Sequence, residues 1–238
     1  MSIWDKRIEK AEKFFEKART HGRKVYLRYK DERDDLLGGA QRVNIFYANV
    51  NTVKESLFNS LPKPDVSRLH KGDYEDDTAR VAALVLQRGL TYEINCAKSF
   101  AEAIRYAILD RLVPGIGQVW LRFGEPEAVF IDVLYWEEFI YSPARTWEAV
   151  TWVGRRHDLT KKEFVDAYGQ EALANLETSK REDGSITPKE INDNKYCVYE
   201  IWDKKTKKVY HIVKGAERPV KEQDDPYQLR DFFPCPKP

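Results

Sequence analysis

Apolar residues at Trp4, Ile8, Ala11, Phe15 and Ala18 recur at spacings of four, three, four and three, with charged residues between them. That is one helical stripe, and it predicts an amphipathic helix from Ser2 to about Arg19. Glu9 stands one turn before Lys13, and Gly22 is placed to take the left-handed conformation just past the end. The stretch from Arg23 to Gly39 mixes charges with Tyr26, Leu27 and Tyr29 and closes on Gly38-Gly39, so it reads as a loop. Apolar positions after Asn44 fit a second helix, which must stop before Pro62 because proline lacks the amide donor. Pro62 and Pro64 make its exit extended.

A helical hairpin is expected next. Asp76, Asp77 or Thr78 caps its first helix, which is filled by Val81, Leu84, Val85 and Leu86. Ser99 and Glu102 have the spacing of a capping box and open the second helix, whose buried stripe is Phe100, Ile104, Ala107 and Ile108. Pro114-Gly115-Ile116-Gly117 ends it near Val113. The period then changes to that of strands, over 118–123, 128–135 and 149–156, which are rich in β-branched and aromatic residues. Thr160 and Glu163 form a second capping box, opening a short helix that runs to Gly169. The polar stretch from Ala172 to Asn194, with Gly184 and Pro188, reads as a mobile loop or a loosely packed insertion. Two β-rich runs between Tyr196 and Lys214, joined by a polar turn around Lys204 to Thr206, form the clearest hairpin. Three prolines in the last five residues make the tail extended,. The whole reads as α+β with a small, mostly antiparallel sheet, divided into an N-terminal helix and loop (1–40) and an α+β region (41–238).

Composition narrows this little. With 42% hydrophobic and 13% aromatic residues the chain has ample material for a core,. Its 40 basic and 39 acidic side chains nearly cancel, so no global field marks a nucleic-acid or membrane surface. Cys96, Cys197 and Cys235 are far apart and offer neither a disulfide framework nor zinc-ligand spacing, which points to a reducing compartment. No signal-peptide pattern and no long uninterrupted apolar run occurs, as expected of a soluble, unexported protein.

Candidate chemistry is sparse. Gly115 and Gly117 resemble half of a phosphate-binding loop, but they lie between a helix and a strand, the reverse of the order that aims amides at phosphate. A tight connecting turn is the plainer reading. His21, His70, His157 and His211 have no partner at metal-ligand spacing. Asp132, Glu200 and Asp203 with Lys204 are the best enzymatic constellation, since carboxylates on strands can hold a cation that activates water, although outward charges on strands are commonplace. Cys96 and Cys197 lie in apolar surroundings and read as small core residues. The basic runs Lys204 to Lys208 and Arg23 to Lys30 are possible phosphate contacts, the first also an ordinary solubilising hairpin tip. No catalytic, cofactor-binding or metal residue is assigned.

Six stretches, in order, carry a resemblance: NIFYANVNTVKESLFNSLPKPDV, DDTARVAALVLQRGLTYEI, AIRYAILDRLVPGIGQVWLRF, VTWVGRRHDLTKKEFVDAYG, VYEIWDKKTKKVYHIVKG and DPYQLRDFFPCPKP. Together they resemble the portal proteins of tailed bacteriophages, especially the larger portals of short-tailed phages, over most of Asn44 to Pro238. The resemblance implies the peripheral α/β wing of a portal, without the stem, clip, tunnel loops and crown. It implies a non-enzymatic subunit of a homo-oligomeric ring, usually a dodecamer, at the portal vertex of the virion, assembled in the host cytoplasm. Double-stranded DNA passes through such a ring without sequence reading during packaging and ejection. The implied partners are the terminase large subunit, major capsid and scaffolding proteins, and head-completion or tail adaptor proteins, with no membrane and no cofactor. Ring subunits need two different complementary surfaces, for which Trp136, Trp147 and Trp152 are candidates, as they are for the core. Two other readings stay open: a metal-dependent nuclease of the phage packaging module, built on Asp132, Glu200 and Lys204, and a monomeric adaptor or partner-binding module.

Overall fold

The computed structural model describes residues 3–31, 43–68, 77–124, 128–182, 195–214, 216 and 218–238. Its elements run α1 (Ile3–Lys30), α2 (Ile45–Leu57), α3 (Asp77–Cys96), α4 (Lys98–Leu112), β1 (Gln118–Gly124), β2 (Ala128–Leu134), β3 (Phe139–Tyr141), β4 (Trp152–Thr160), α5 (Lys161–Tyr168), α6 (Gln170–Glu182), β5 (Lys195–Asp203), β6 (Lys208–Val213) and β7 (Lys221–Asp224). The architecture is α+β. β1 and β2 form a two-stranded antiparallel sheet, and a second antiparallel sheet has the order β3-β4-β5-β6-β7.

The larger sheet is covered on both faces, and its central strand shows why. In β5 every residue from Tyr196 to Asp203 is buried, and successive side chains alternate between two cores as strand geometry requires. Cys197, Tyr199 and Ile201 pack with Ile140, Trp152 and Ile212 beneath Trp4, Ile8 and Ala11 of α1. On the opposite face Tyr196 and Val198 meet Phe164, Leu173 and Leu176 of α5 and α6. Trp202 on that face joins Trp120 and Leu134 of the small sheet and Phe232 and Phe233 of the tail. The tail, extended as its prolines require, is tied to β1 by the Leu121 amide donating to the Pro234 carbonyl at 2.8 Å.

Helix α1 continues through Gly22 and the stretch from Arg23 to Lys30, where a helix end and a loop were expected. Gly22 is buried inside the helix, and a β-carbon there would stand 3.0 Å from the Trp136 ring and 3.1 Å from Pro114. Its small size makes a seat for those two side chains, so tertiary packing and not a cap accounts for it. Ala18, expected on the buried stripe, is exposed, and Tyr29 extends the buried face instead.

Asn44 caps α2 by accepting from the Tyr47 amide at 3.0 Å. Thr160 and Glu163 form the expected capping box of α5, the Thr160 amide donating to the Glu163 carboxylate at 2.8 Å. The Ser99 box is not made, because the cap position of α4 is Ala97, which makes no side-chain cap bond. Helices α3 and α4 follow each other across Ala97, but the expected hairpin packing is absent: among the described residues no helix or strand packs along α3. Residues 172–182, expected to be a mobile loop or a loosely packed insertion, belong to helix α6, Leu173 and Leu176 being drawn into the core. Residues 149–151 precede β4 as the last residue of a short 3₁₀ turn (Trp147–Ala149) and two residues of irregular chain, the first of them extended, not as strand. Asp76, the Gly38-Gly39 pair, Gly184 and Pro188 lie outside the described residues.

Gly22→Leu is expected to cost about 2 kcal/mol or more in urea unfolding, since the added carbons have to displace Trp136 and Pro114,. Gly89→Ala, in the middle of α3 with nothing within 4 Å of a new β-carbon, is expected to raise stability by about 0.5–1 kcal/mol.

Candidate functional site

The central row of the larger sheet is charged. Register places Arg155 of β4 opposite Glu200 of β5, and Glu200 opposite His211 of β6. Glu200 lies between Val198 and Trp202 on a face that is buried, and a carboxylate there needs full pairing to be held. Arg155 Nε donates to Glu200 Oε2 at 2.8 Å, and the Trp202 indole N–H donates to Oε1 at 2.8 Å. His157 Nε2 lies 3.5 Å from Oε2. Arg155 also reaches Asp132 Oδ2 on the small sheet at 3.2 Å and stacks 5.1 Å from the Trp120 ring centre. Arg122 completes the group, its Nε 3.1 Å from Asp132 Oδ2. One guanidinium therefore joins the two sheets.

Burial by itself would raise the Glu200 pKa, but the His157 contact and the Arg155 charge overcome it and hold the carboxyl well below the usual range,. Burial lowers His211 to about 4 and raises Tyr168 to about 12. At neutral pH the imidazole is thus neutral and the phenol protonated, so Tyr168 O–H donates to His211 Nδ1, 2.9 Å away,. The arrangement is a closed ion-pair network. Its carboxylate oxygens face guanidinium groups and, at Glu200 Oε1, the Trp202 indole N–H, donors that occupy the directions from which a cation would be coordinated,.

The residues singled out in the sequence fall in different places. Asp132 and Glu200 come together, but through Arg155. Asp203 is buried, accepts from the Lys205 amide at 3.1 Å and lies 4.0 Å from Arg7, while Lys204 lies 5.6 Å from the Phe233 ring centre. Among the described residues no group of three or more His, Cys, Asp or Glu is placed to hold a metal ion. His21 is exposed on α1, and His70 lies outside the described residues. Gly115, at φ +97°, makes the tight turn, and a β-carbon on Gly117 would stand 1.8 Å from the Ala107 carbonyl oxygen. Lys207 and Lys208 are engaged with Phe232 and Glu222, and Arg23 is paired with Glu137 at 2.5 Å. Cys197 and Cys235 are buried, with burial raising both thiols, but Cys96 is exposed at the end of α3. Trp136 and Trp152 are core residues, and Trp147 is half-buried against Phe233, so these three are not a free contact surface.

The exposed apolar surface lies elsewhere. Helix α3 has no buried residue. Val81, Leu84, Val85 and Tyr92 project from one side of it and Leu86 and Leu90 from another, from 40% exposed at Leu90 to 67% at Tyr92. A helix apolar on several sides is ordinarily an interior helix. Helix α2 exposes Ile45, Val53 and Leu57, and an apolar groove of about 240 Å³ lies between Leu57, Ile104, Ile108, Leu112 and Val119. No helix among the described residues is long and apolar enough to cross a membrane. No model of a known protein family matches the chain, and no curated protein matches it.

Arg155→Ala is expected to lower the free energy of unfolding by about 3 kcal/mol, because it leaves Glu200 buried and unpaired. The double change Arg155→Met with Glu200→Met should recover most of that loss in the same urea titration. Asp110 gives a pH signature: it is 5% exposed, and burial raises its carboxyl to about 7 against the opposing Trp136 amide. The folded state then binds a proton that the unfolded chain releases near pH 4, so this group lowers stability as pH rises from about 4 to 7. Relative to Asp110→Asn, wild-type protein should lose on the order of 3–4 kcal/mol across that window.

Proposed function

We propose that the chain is a subunit of a phage portal ring, contributing the peripheral wing. The observation that carries this reading is α3, a twenty-residue helix with apolar side chains on several sides and none of them buried. Such a surface persists in a protein that works inside an assembly, where neighbours remove it from water. The ordered resemblance of six stretches supplies the kind of assembly. The Arg155 network supports an architectural role, because it fixes the relation of two sheets and leaves its carboxylates engaged by arginine.

In this reading the subunit sits at the portal vertex of the virion, in a homo-oligomeric ring that double-stranded DNA traverses during packaging and ejection. The ring docks the terminase large subunit, and later the head-completion and tail adaptor proteins. A formal charge of +1 suits passage of DNA with weak, sequence-independent contact,. Immunogold electron microscopy of phage particles from the source of this sequence tests the reading. Label at a single vertex is expected, and label spread over the capsid, or absent from purified particles, would contradict it.

A further inference from the structure

Three parts of the chain converge on Trp136, in the turn that joins β2 to β3. Gly22 of α1 makes room for its ring, and Pro114, just past α4, stands beside the same seat. The turn is tied outward as well: Arg23 of α1 donates to Glu137, and the Arg156 amide of β4 donates to the Glu138 carbonyl at 2.9 Å. Into this junction α4 sends Asp110, which is 5% exposed and whose carboxyl accepts from the Trp136 backbone amide. We propose that Asp110 is a proton-operated latch: protonated, it holds the end of α4 on the Trp136 turn and α1, and losing the proton weakens that hold.

A buried carboxylate stays charged only with a cation or several donors around it, and Asp110 has one amide,. The charged and titratable groups of the surrounding elements are engaged elsewhere or are acids and phenols themselves. On α1, Arg23 is taken by Glu137 at 2.5 Å, and Tyr26 brings a phenol. The turn brings Tyr135, whose hydroxyl pKa burial raises, and Glu137. On α4, Arg111 donates to the Gly115 carbonyl at 2.9 Å. On α2, Lys54 is held by Asn51 and Glu55, and across β1 and β2 Arg122 and Asp132 pair with each other. Burial therefore dominates and raises the Asp110 carboxyl to about 7,. Once ionised, it reaches water only if α4 parts from the turn. That parting is local, because Arg155 still ties Asp132 to the large sheet at 3.2 Å and the Leu121 amide still holds the tail. What loosens with the end of α4 is the neighbouring contact of Val113 with Tyr29 and Val50. The closed seat keeps a proton that the open one gives up near pH 4. Opening thus becomes about tenfold easier per pH unit from about 4 to 7 and levels off above 7.

The test compares the full wild-type chain with Asp110→Asn, which keeps the size of the side chain and cannot ionise. Amide hydrogen exchange is measured from pH 4 to 8 and expressed as protection relative to the unstructured rate at each pH. In the wild type, protection over residues 109–117 and 134–138 should fall roughly 1000-fold between pH 4 and 7 and then level off. In Asp110→Asn the same segments should change by less than about tenfold. Strand β5 should stay better protected than either segment throughout, since it opens only with the whole fold. A wild-type profile that is flat with pH overturns the latch, as does an equal fall in Asp110→Asn. Protection of the two segments that matches β5 at every pH also overturns it, because they would then open only by global unfolding. So does a carbon-13 NMR titration that places the Asp110 carboxyl of the folded protein near the ordinary carboxylate value of about 4.

Discussion

Glu200 sits midway along a strand covered on both faces, and Arg155, directly opposite in the register, donates to it at 2.8 Å. A carboxylate desolvated without such a partner would cost several kcal/mol, more than one stretch of sheet can absorb. Pairing also fixes position. A shift of β4 against β5 by one residue would turn Arg155 to the face beneath α1 and leave Glu200 alone among Val198 and Trp202. The same guanidinium reaches Asp132, so the small sheet is held to the large one by the charge that sets the register. The α1 layer, the α5–α6 layer and the tail are then placed by the faces β5 offers them.

Much of this was legible in the chain because local rules and tertiary packing agree there. The stripe of Trp4, Ile8, Ala11 and Phe15, the Thr160 capping box and the hairpin centred on Lys204 to Thr206 are found where the pattern puts them. Where they differ, a distant neighbour decides. Gly22 reads as a helix end by propensity, yet it serves as the flat seat for Trp136, a residue 114 positions away. Residues 170–182 look polar, but Leu173 and Leu176 are enough to anchor a helix on β5. β3 and β7 are three and four residues long, too short for alternation to declare itself.

The charged network was half visible. Glu200 and Asp132 stood out as carboxylates on strands, and spacing gave no sign that they would share one arginine. The missing partner could have been sought from the alternation of β5. Val198 and Trp202 mark the Glu200 face as buried, and a buried carboxylate demands a cation on an adjacent strand, which Arg155 supplies. The apolar surface was not visible for a different reason. Trp136 and Trp152 read equally as contact or core residues, and they are core, whereas Val81, Leu84, Val85 and Leu86 read as the filling of a helical hairpin and are exposed. Sequence periodicity reports that a face is apolar, and it does not report what covers that face.

In the assembly proposed above α3 is an interior helix, so its amide hydrogen exchange should depend on protein concentration. Protection over residues 81–93 of α3 is expected to rise as copies associate, while β5 stays protected throughout. Exchange along α3 that is the same at every concentration would contradict it.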